Sequence, residues 1–185
     1  MAAVADVIGL VESERLVLRP ITLHNVDLLF DLDSDPEVMR YLTGRPSTRE
    51  EVEAVVRERV GCRWIATDRA SGAFIGWFGL VPVEESAYDI GYRLRRGCWA
   101  RGLATEGTRL LLEAAFGVLG ARRVTAQTMA VNKRSRAVME RCGMRHIRTC
   151  HLNWDDPLPG TDEGEVEYEI TLERWGRARS TPPDA

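Results

Sequence analysis

The sequence predicts an α/β (α+β) domain: a mixed, largely antiparallel sheet of about seven strands, flanked by helices and containing one parallel pair. Three observations carry this. Residues 87–94 alternate, with Tyr88, Ile90, Tyr92 and Leu94 set against Asp89, Gly91 and Arg93, the period of two of a strand with distinct faces. From Leu103 onward, Leu103, Gly107, Leu110, Leu111, Ala114, Ala115 and Val118 recur at three- and four-residue spacing, so a helix follows whose apolar face packs on a sheet. Residues 124–130 alternate again, and a right-handed crossover between the two strands makes them parallel.

The remaining elements follow in order. Residues 14–20, ERLVLRP, set Leu16 and Leu18 against Arg15, Val17 and Arg19, a first strand ended by proline. Residues 22–32 and 35–42 read as helical, the second opened by Asp35-Pro36 as cap and first-turn proline. Ser47 with Glu50 makes a capping box, followed by Val52, Val55, Val56 and Val60 on one helical face. Residues 63–67 and 73–81 are two strands joined by a DRASG hairpin turn, and with 87–94 they make three successive antiparallel strands. Gly120 ends the helix that begins at Leu103. Residues 144–154 and 165–173 are the closing strands, with a solvated, acidic, Pro- and Gly-containing loop between them. We expect an N-terminal extension over 1–12, a single domain over 13–175, and a disordered tail over 176–185.

Composition excludes several classes. The 185 residues, 44% of them hydrophobic, suit one domain with one core. A net charge of −3 without a long basic run argues against nucleic-acid binding, which draws its affinity from phosphate neutralisation. No apolar run approaches the roughly 20 residues that a membrane span needs, and the N-terminus lacks the basic start of a secretory signal, so a cytoplasmic location is expected. Cys62, Cys98, Cys142 and Cys150 form no CxxC pair and read as reduced thiols. Cys142, His146, Cys150 and His151 lie close in sequence, but Gly143 interrupts any helix that could set metal-ligand spacing, so no metal is expected.

The stretch joining the strand at 87–94 to the helix at Leu103 concentrates Arg95, Arg96, Gly97, Arg101 and Gly102. A helix N-terminus offers free N–H groups and the positive end of a dipole, so a phosphate is stabilised there, and glycine lets the backbone come close. The plainer alternative is a tight connection with solvated arginines. Neither GxGxxG nor GxxxxGK(S/T) is present, which removes the main support for dinucleotide or nucleoside triphosphate binding.

The run Gly91-Tyr92 followed by Trp99-Ala100-Arg101-Gly102-Leu103-Ala104-Thr105-Glu106 resembles the acetyl-CoA binding segment of the GNAT acyltransferases, in particular the ribosomal-protein N-terminal acetyltransferase branch. Gly102 and Ala104 match the last two fixed positions of that loop, and Trp99 stands where glutamine or arginine is common. The order Asn132-Lys133-Arg134-Ser135, a short helix, then Gly143-Met144 resembles the family's second hallmark, although Asn and Ser also suit an ordinary helix start. The resemblance implies a GNAT-like sheet whose parallel strands splay. It implies that the amides of Arg101, Gly102, Leu103, Ala104 and Thr105, with Arg96 nearby, hold the CoA pyrophosphate. It also implies that Asn132 binds the pantetheine arm, that Ser135 lies near the sulfur, and that the Leu94 N–H polarises the thioester carbonyl.

Acetyl transfer from a thioester to an amine needs a neutral amine, a polarised carbonyl and a thiolate able to leave. An α-amino group with a pKa near ~7.8 loses about 1 kcal/mol to deprotonation at pH 7 and a lysine near ~10.4 about 4.6, so weakly basic amines ask least of the site. Asp89, whose position resembles that of an acidic residue in this branch's strand motif, is the preferred base, directly or through water, with Glu84 and Glu85 behind it; a plain strand-surface carboxylate is the alternative. Relatives often place an acidic tyrosine at the position of Met139, and methionine cannot donate, so that role passes to Ser135, to water or to nothing. The expected partners are acetyl-CoA and a primary amine acceptor, a protein N-terminus or a small amine, reacting in a ternary complex. Edge strands near the C-terminus could pair two copies into a homodimer. The alternative class is a non-catalytic acyl-CoA sensor on the same fold.

Overall fold

The computed structural model describes residues 3–152 and 156–180. Its strands, in chain order, are β1 (Val11–Glu12), β2 (Leu16–Pro20), β3 (Arg63–Asp68), β4 (Phe74–Glu84), β5 (Ala87–Leu94), β6 (Arg123–Met129), β7 (Arg145–Cys150) and β8 (Glu165–Thr171). Its helices are α1 (Val4–Ile8), α2 (Val26–Asp33), α3 (Pro36–Met39), α4 (Arg49–Arg59), α5 (Leu103–Gly117), α6 (Lys133–Arg141) and α7 (Leu172–Ser180). One sheet runs β1-β2-β3-β4-β5-β6-β8-β7, antiparallel throughout except between β5 and β6.

The parallel pair is short. Ala87, Tyr88 and Asp89 face Arg123, Val124 and Thr125, and past that point β5 continues to Leu94 and β6 to Met129 without pairing each other. Each strand is held from its other side, β5 by β4 as far as Leu94 and β6 by β8 as far as Met129. The gap thus lies inside the sheet between two strands that are each paired on their far side.

Alternation gives the sheet two buried faces. One face, with Leu16, Phe78, Ile90 and Val124, packs on Ala5 of α1, Leu111 of α5, Met139 of α6 and Trp175 of α7. The other, with Ile65 and Trp77, packs on Leu29 and Leu32 of α2 and Val52 and Val56 of α4. Helix α5 sits close to the sheet because it has no side chain at Gly107, where a Cβ would come within 2.2 Å of the Phe78 ring.

Several elements depart from expectation. Eight strands stand where about seven are expected, β1 being the addition. Residues 4–12, read as an extension, are bound into the domain: Ala5 N–H donates to Gly61 O at 2.6 Å and the Trp64 indole to Gly9 O at 2.8 Å. The capping box uses Thr48 and Glu51, one residue beyond Ser47 and Glu50; the sequence STREE carries both registers, and Ser47 donates its N–H to Asp33 O instead. Helix α5 ends at Gly117, earlier than Gly120, although Gly120 at φ +65° still makes the closing turn that lets Ala121 N–H reach Ala115 O. Residues 176–180, expected to be disordered, continue helix α7, and 181–185 lie outside the described residues. Strand β7 ends at Cys150; the predicted strand's last two residues, 153 and 154, are also outside them.

Candidate active site

Helix α5 begins after Gly102, which adopts φ +79° and is capped by no side chain. Among the described residues the amides of Arg101, Gly102, Leu103, Ala104 and Thr105 donate to no protein acceptor, and the first helical bond runs from Glu106 N–H to Gly102 O at 3.0 Å. The loop is fixed from outside instead. Arg15 donates to Glu106 at 2.7 Å and to Arg101 O at 3.0 Å, and Ser13 donates to Glu106 at 2.6 Å. These bonds use the Arg101 carbonyl and the side chains of Arg15, Ser13 and Glu106 and leave the amides open, which is the arrangement an anion needs. A groove of about 710 Å³ adjoins them, lined by Arg15, Gly102, Thr105, Arg109 and Arg141 among others. Arg96 is exposed on the single helical turn before the loop, 4.0 Å from Asp35.

The gap between β5 and β6 opens beside this cradle. Arg95 N–H bonds Ile75 O, and Arg93 lies opposite Trp77, so strand alternation turns the amides of Leu94 and Tyr92 away from β4 and into the gap. The Leu94 carbonyl accepts from the Trp99 indole at 2.8 Å. On the far wall Asn132 caps α6, its Oδ1 accepting from Ser135 N–H at 3.2 Å and its Nδ2 donating to Thr128 Oγ1 at 3.0 Å. Two contacts cross between the walls: the Tyr92 hydroxyl donates to Ser135 O at 3.1 Å and lies 2.9 Å from Ser135 Oγ, and the Arg134 guanidinium stands 5.1 Å from the Trp99 ring centre. Burial pushes the Tyr92 phenol above its ordinary pKa, the Ser135 contact opposing. Met139 is buried in the core behind them.

On the opposite face of the sheet a second groove, of about 520 Å³, lies over the same gap, lined by Arg63, Trp77, Gly79, Asp89, Gly91 and Gln127 among others. Gly79 and Gly91 are register partners, and their missing side chains leave the Trp77 indole as the floor. Gly91 of β5 and Gln127 of β6 are the first groove residues past the last parallel pair, so the groove floor is open to the gap. Asp89 accepts from the Thr125 hydroxyl at 3.0 Å, and burial pushes its carboxyl up to about 6, against the Thr125 bond.

The residues expected to act are only partly brought together. Leu94, Asn132 and Ser135 stand on the strand and helix that flank the gap, and the amides at 101–105 follow β5 at the start of α5. Asp89 does not join Leu94: five residues of strand separate them, roughly 16 Å at ~3.3 Å per residue. Asp89 sits three residues, roughly 10 Å, from Tyr92, whose amide and hydroxyl both face the gap and which sequence reasoning passed over. The available signal was the alternation itself, which put Tyr92 on the Leu94 side of the strand, together with the donor missing at Met139. Glu84 is drawn off by Arg123 at 2.9 Å. Cys142 is buried against Thr105 O, and burial pushes its thiol up to about 11; His146 bonds Thr149. Among the described residues no cluster of three or more His, Cys, Asp or Glu could hold a metal ion.

Comparison with known proteins agrees with this geometry. The acetyltransferase (GNAT) domain family matches residues 15–145. The FsC-acetyl coenzyme A-N(2)-transacetylase of Aspergillus fumigatus is 36% identical, over 88% of this chain and 76% of its own. The uncharacterized protein YkkB of Bacillus subtilis is 32% identical over 79% of this chain and 90% of its own. In fold, the spermidine N-acetyltransferase of Vibrio cholerae, solved with CoA and spermine, superposes with a TM-score of 0.76 at 15% identity, covering 88% of this chain and 99% of that one. A GNAT-family acetyltransferase from Bacillus anthracis superposes equally well at 0.76 and 23% identity, covering 89% and 99%. With the uncapped α5 terminus on one side of a splayed parallel pair and a groove on the other, the chain belongs to the GNAT family of acetyltransferases, enzymes that transfer the acetyl group of acetyl-CoA to an amine.

Proposed function

We propose that this enzyme acetylates a primary amine on a small molecule or an exposed peptide end by direct attack in a ternary complex, with the two substrates meeting from opposite faces of the sheet. The observation that carries this is the β5–β6 gap, which lies between the strand leading to the open α5 terminus and the strand leading to α6, with the Trp77 groove over its start. A relative named for transfer to an N(2) amine and a fold neighbour solved with spermine both support a small amine. The narrower placement in the ribosomal-protein branch rests on the motif resemblance alone, and the choice between a peptide end and a small amine is open to the test below.

In this reading the amides of Arg101 to Thr105 bind the pyrophosphate, Arg96 adds positive charge, and the Leu94 amide and the Asn132 side chain hold the pantetheine arm. The thioester carbonyl takes the Tyr92 N–H rather than that of Leu94, because only there does Asp89 come within reach through one or two waters. The amine nitrogen bonds to the carbonyl carbon, its proton passes by water to Asp89, and the carbon–sulfur bond breaks. The leaving thiolate then takes a proton from the Ser135–Tyr92 hydroxyl pair. The exposed edge strand β7 supports homodimerisation along that edge. Among the described residues no helix is long and apolar enough to cross a membrane, which fits the proposed cytoplasmic location.

Calorimetric titration with acetyl-CoA, followed by thiol release over a panel of amines and peptides, tests this. Micromolar or tighter binding with amine-dependent thiol release supports it. Binding without release for any amine leaves a sensor, and no binding by folded protein removes the reading.

A further inference from the structure

The groove over the gap carries seven charged side chains, and most of them neutralise one another. Glu84 pairs with Arg123 at 2.9 Å, Glu167 with Arg148, and Arg59 with Glu58 at 3.0 Å. Two are left over, of opposite sign: Asp89, whose carboxylate has the neutral Thr125 hydroxyl as its only hydrogen-bond partner among the described residues, and Arg63. The Arg63 guanidinium stacks on the Trp77 ring at 4.0 Å and forms no ion pair or hydrogen bond among the described residues. Its neighbour over the same ring, Arg93, is neutralised by Asp33 at 2.6 Å, which leaves the Arg63 guanidinium without a carboxylate of its own among the described residues.

A half-buried guanidinium without a counter-ion is costly, and the cost is recovered when an oxyanion reaches it. Burial and the nearby Arg93 and Arg59 charges lower the Arg63 pKa to about 10, in keeping with an unmet demand for negative charge. The sequence also clears the way to it. Arg63 lies across Gly79, where a Cβ would meet the Arg63 Cγ at 3.3 Å, and Gly91 beside it adds nothing above the floor. The groove between Arg63 and Asp89, which passes Gly79, Gly91 and the edge of Trp77, is therefore open to take the body of a ligand.

We propose that the acceptor carries a carboxylate or a similar oxyanion in addition to its reacting amine, and that Arg63 binds this anion while the amine lies near Asp89 and Gly91. Two strand spacings separate Arg63 from Gly91, roughly 10 Å less the reach of the arginine, so the two groups stand several bonds apart. Amino acids with a side-chain amine and short acidic peptides have this shape; unsubstituted diamines do not. A guanidinium selects the oxyanion by a paired, charge-assisted contact that a diamine leaves unmade.

The inference rests on the transferase reading above, and the test separates the two. Acetylation kinetics are measured with matched acceptors differing by one group: α,ω-diamines against their 2-carboxylates, and ethanolamine against its phosphate ester. The wild-type enzyme is expected to favour the carboxylate of each diamine pair by about tenfold or more in kcat/KM, chiefly through KM. Arg63→Leu should erase the preference and Arg63→Lys keep part of it, with acetyl-CoA affinity unchanged in both as the control for folding. Preference for the phosphate ester alone would keep the anion site and change its source. Equal rates within every pair in the wild type, or a preference that survives in Arg63→Leu, would overturn the inference while leaving the transferase intact. Failure to acetylate any acceptor would count against the transferase reading itself, and this site would fall with it.

Discussion

Asp89 and Thr125 mark the point where the sheet comes apart: they are the last register partners of β5 and β6, and the Thr125 hydroxyl closes the pair by donating to the Asp89 carboxylate at 3.0 Å. Above them the strands are joined; below them lies the gap over which the Trp77 groove sits.

The position of Asp89 sets a pH prediction. Its carboxyl is raised by burial to about 6, above the ordinary ~3.8, so the protonated form is favoured by folding. The stability it contributes is present below about pH 4 and is lost as pH rises through about 6. Asp89→Asn keeps an acceptor for Thr125 and removes the charge, so it should be more stable than wild type at about pH 8, by on the order of 2 kcal/mol, and equal to it at about pH 4. Thermal denaturation at the two pH values checks this. The same variant should lose about 100-fold or more in kcat while its acetyl-CoA affinity stays constant.

Gly102 governs the cofactor side. Gly102→Glu puts a carboxylate at the anion site and should abolish acetyl-CoA binding measured by calorimetry. Because φ there is +79°, the variant also loses about 1 kcal/mol of stability. Gly102→Asn, which tolerates that conformation, separates the two effects: it should retain the fold and most of the affinity.

Tyr92 connects β5 to α6 through the Ser135 hydroxyl, 2.9 Å away. Tyr92→Phe should lower stability by about 1 kcal/mol through the lost Ser135 bond. It should lower kcat by about tenfold or more without changing the acetyl-CoA dissociation constant. A fall in stability with kcat unchanged would assign Tyr92 a structural role only.

Gly107→Ala tests the packing that carries the α5 terminus to its place. The added Cβ would lie within 2.2 Å of Cζ and within 3 Å of two further atoms of the Phe78 ring, so ring or helix must shift, at a cost of about 2–3 kcal/mol. Denaturant midpoints measure it.

Much of this was legible in the sequence, and the exceptions have physical causes. The β5 strand and the start of α5 were readable because alternation and helical spacing report which face is buried, and burial decided both. The splay was not readable from Ala87 to Leu94 alone, since it depends on β4 and β8 holding the two strands on divergent lines. The capping box slipped by one because Ser47 and Thr48 both have a glutamate three residues on, and only the tertiary bond from Ser47 to Asp33 O decides between them. Tyr92 was passed over because its partner is 43 residues away in α6. Arg63 showed no signal, because an unpaired charge can be recognised only once every neighbouring carboxylate has been placed.

The most direct measurement is a backbone amide NMR titration of the folded protein with acetyl-CoA. The largest shifts are expected on the amides of residues 101–105, with Tyr92 and Leu94 next, while the β1–β3 amides stay still. Saturable binding that leaves 101–105 unmoved and shifts another surface would contradict it.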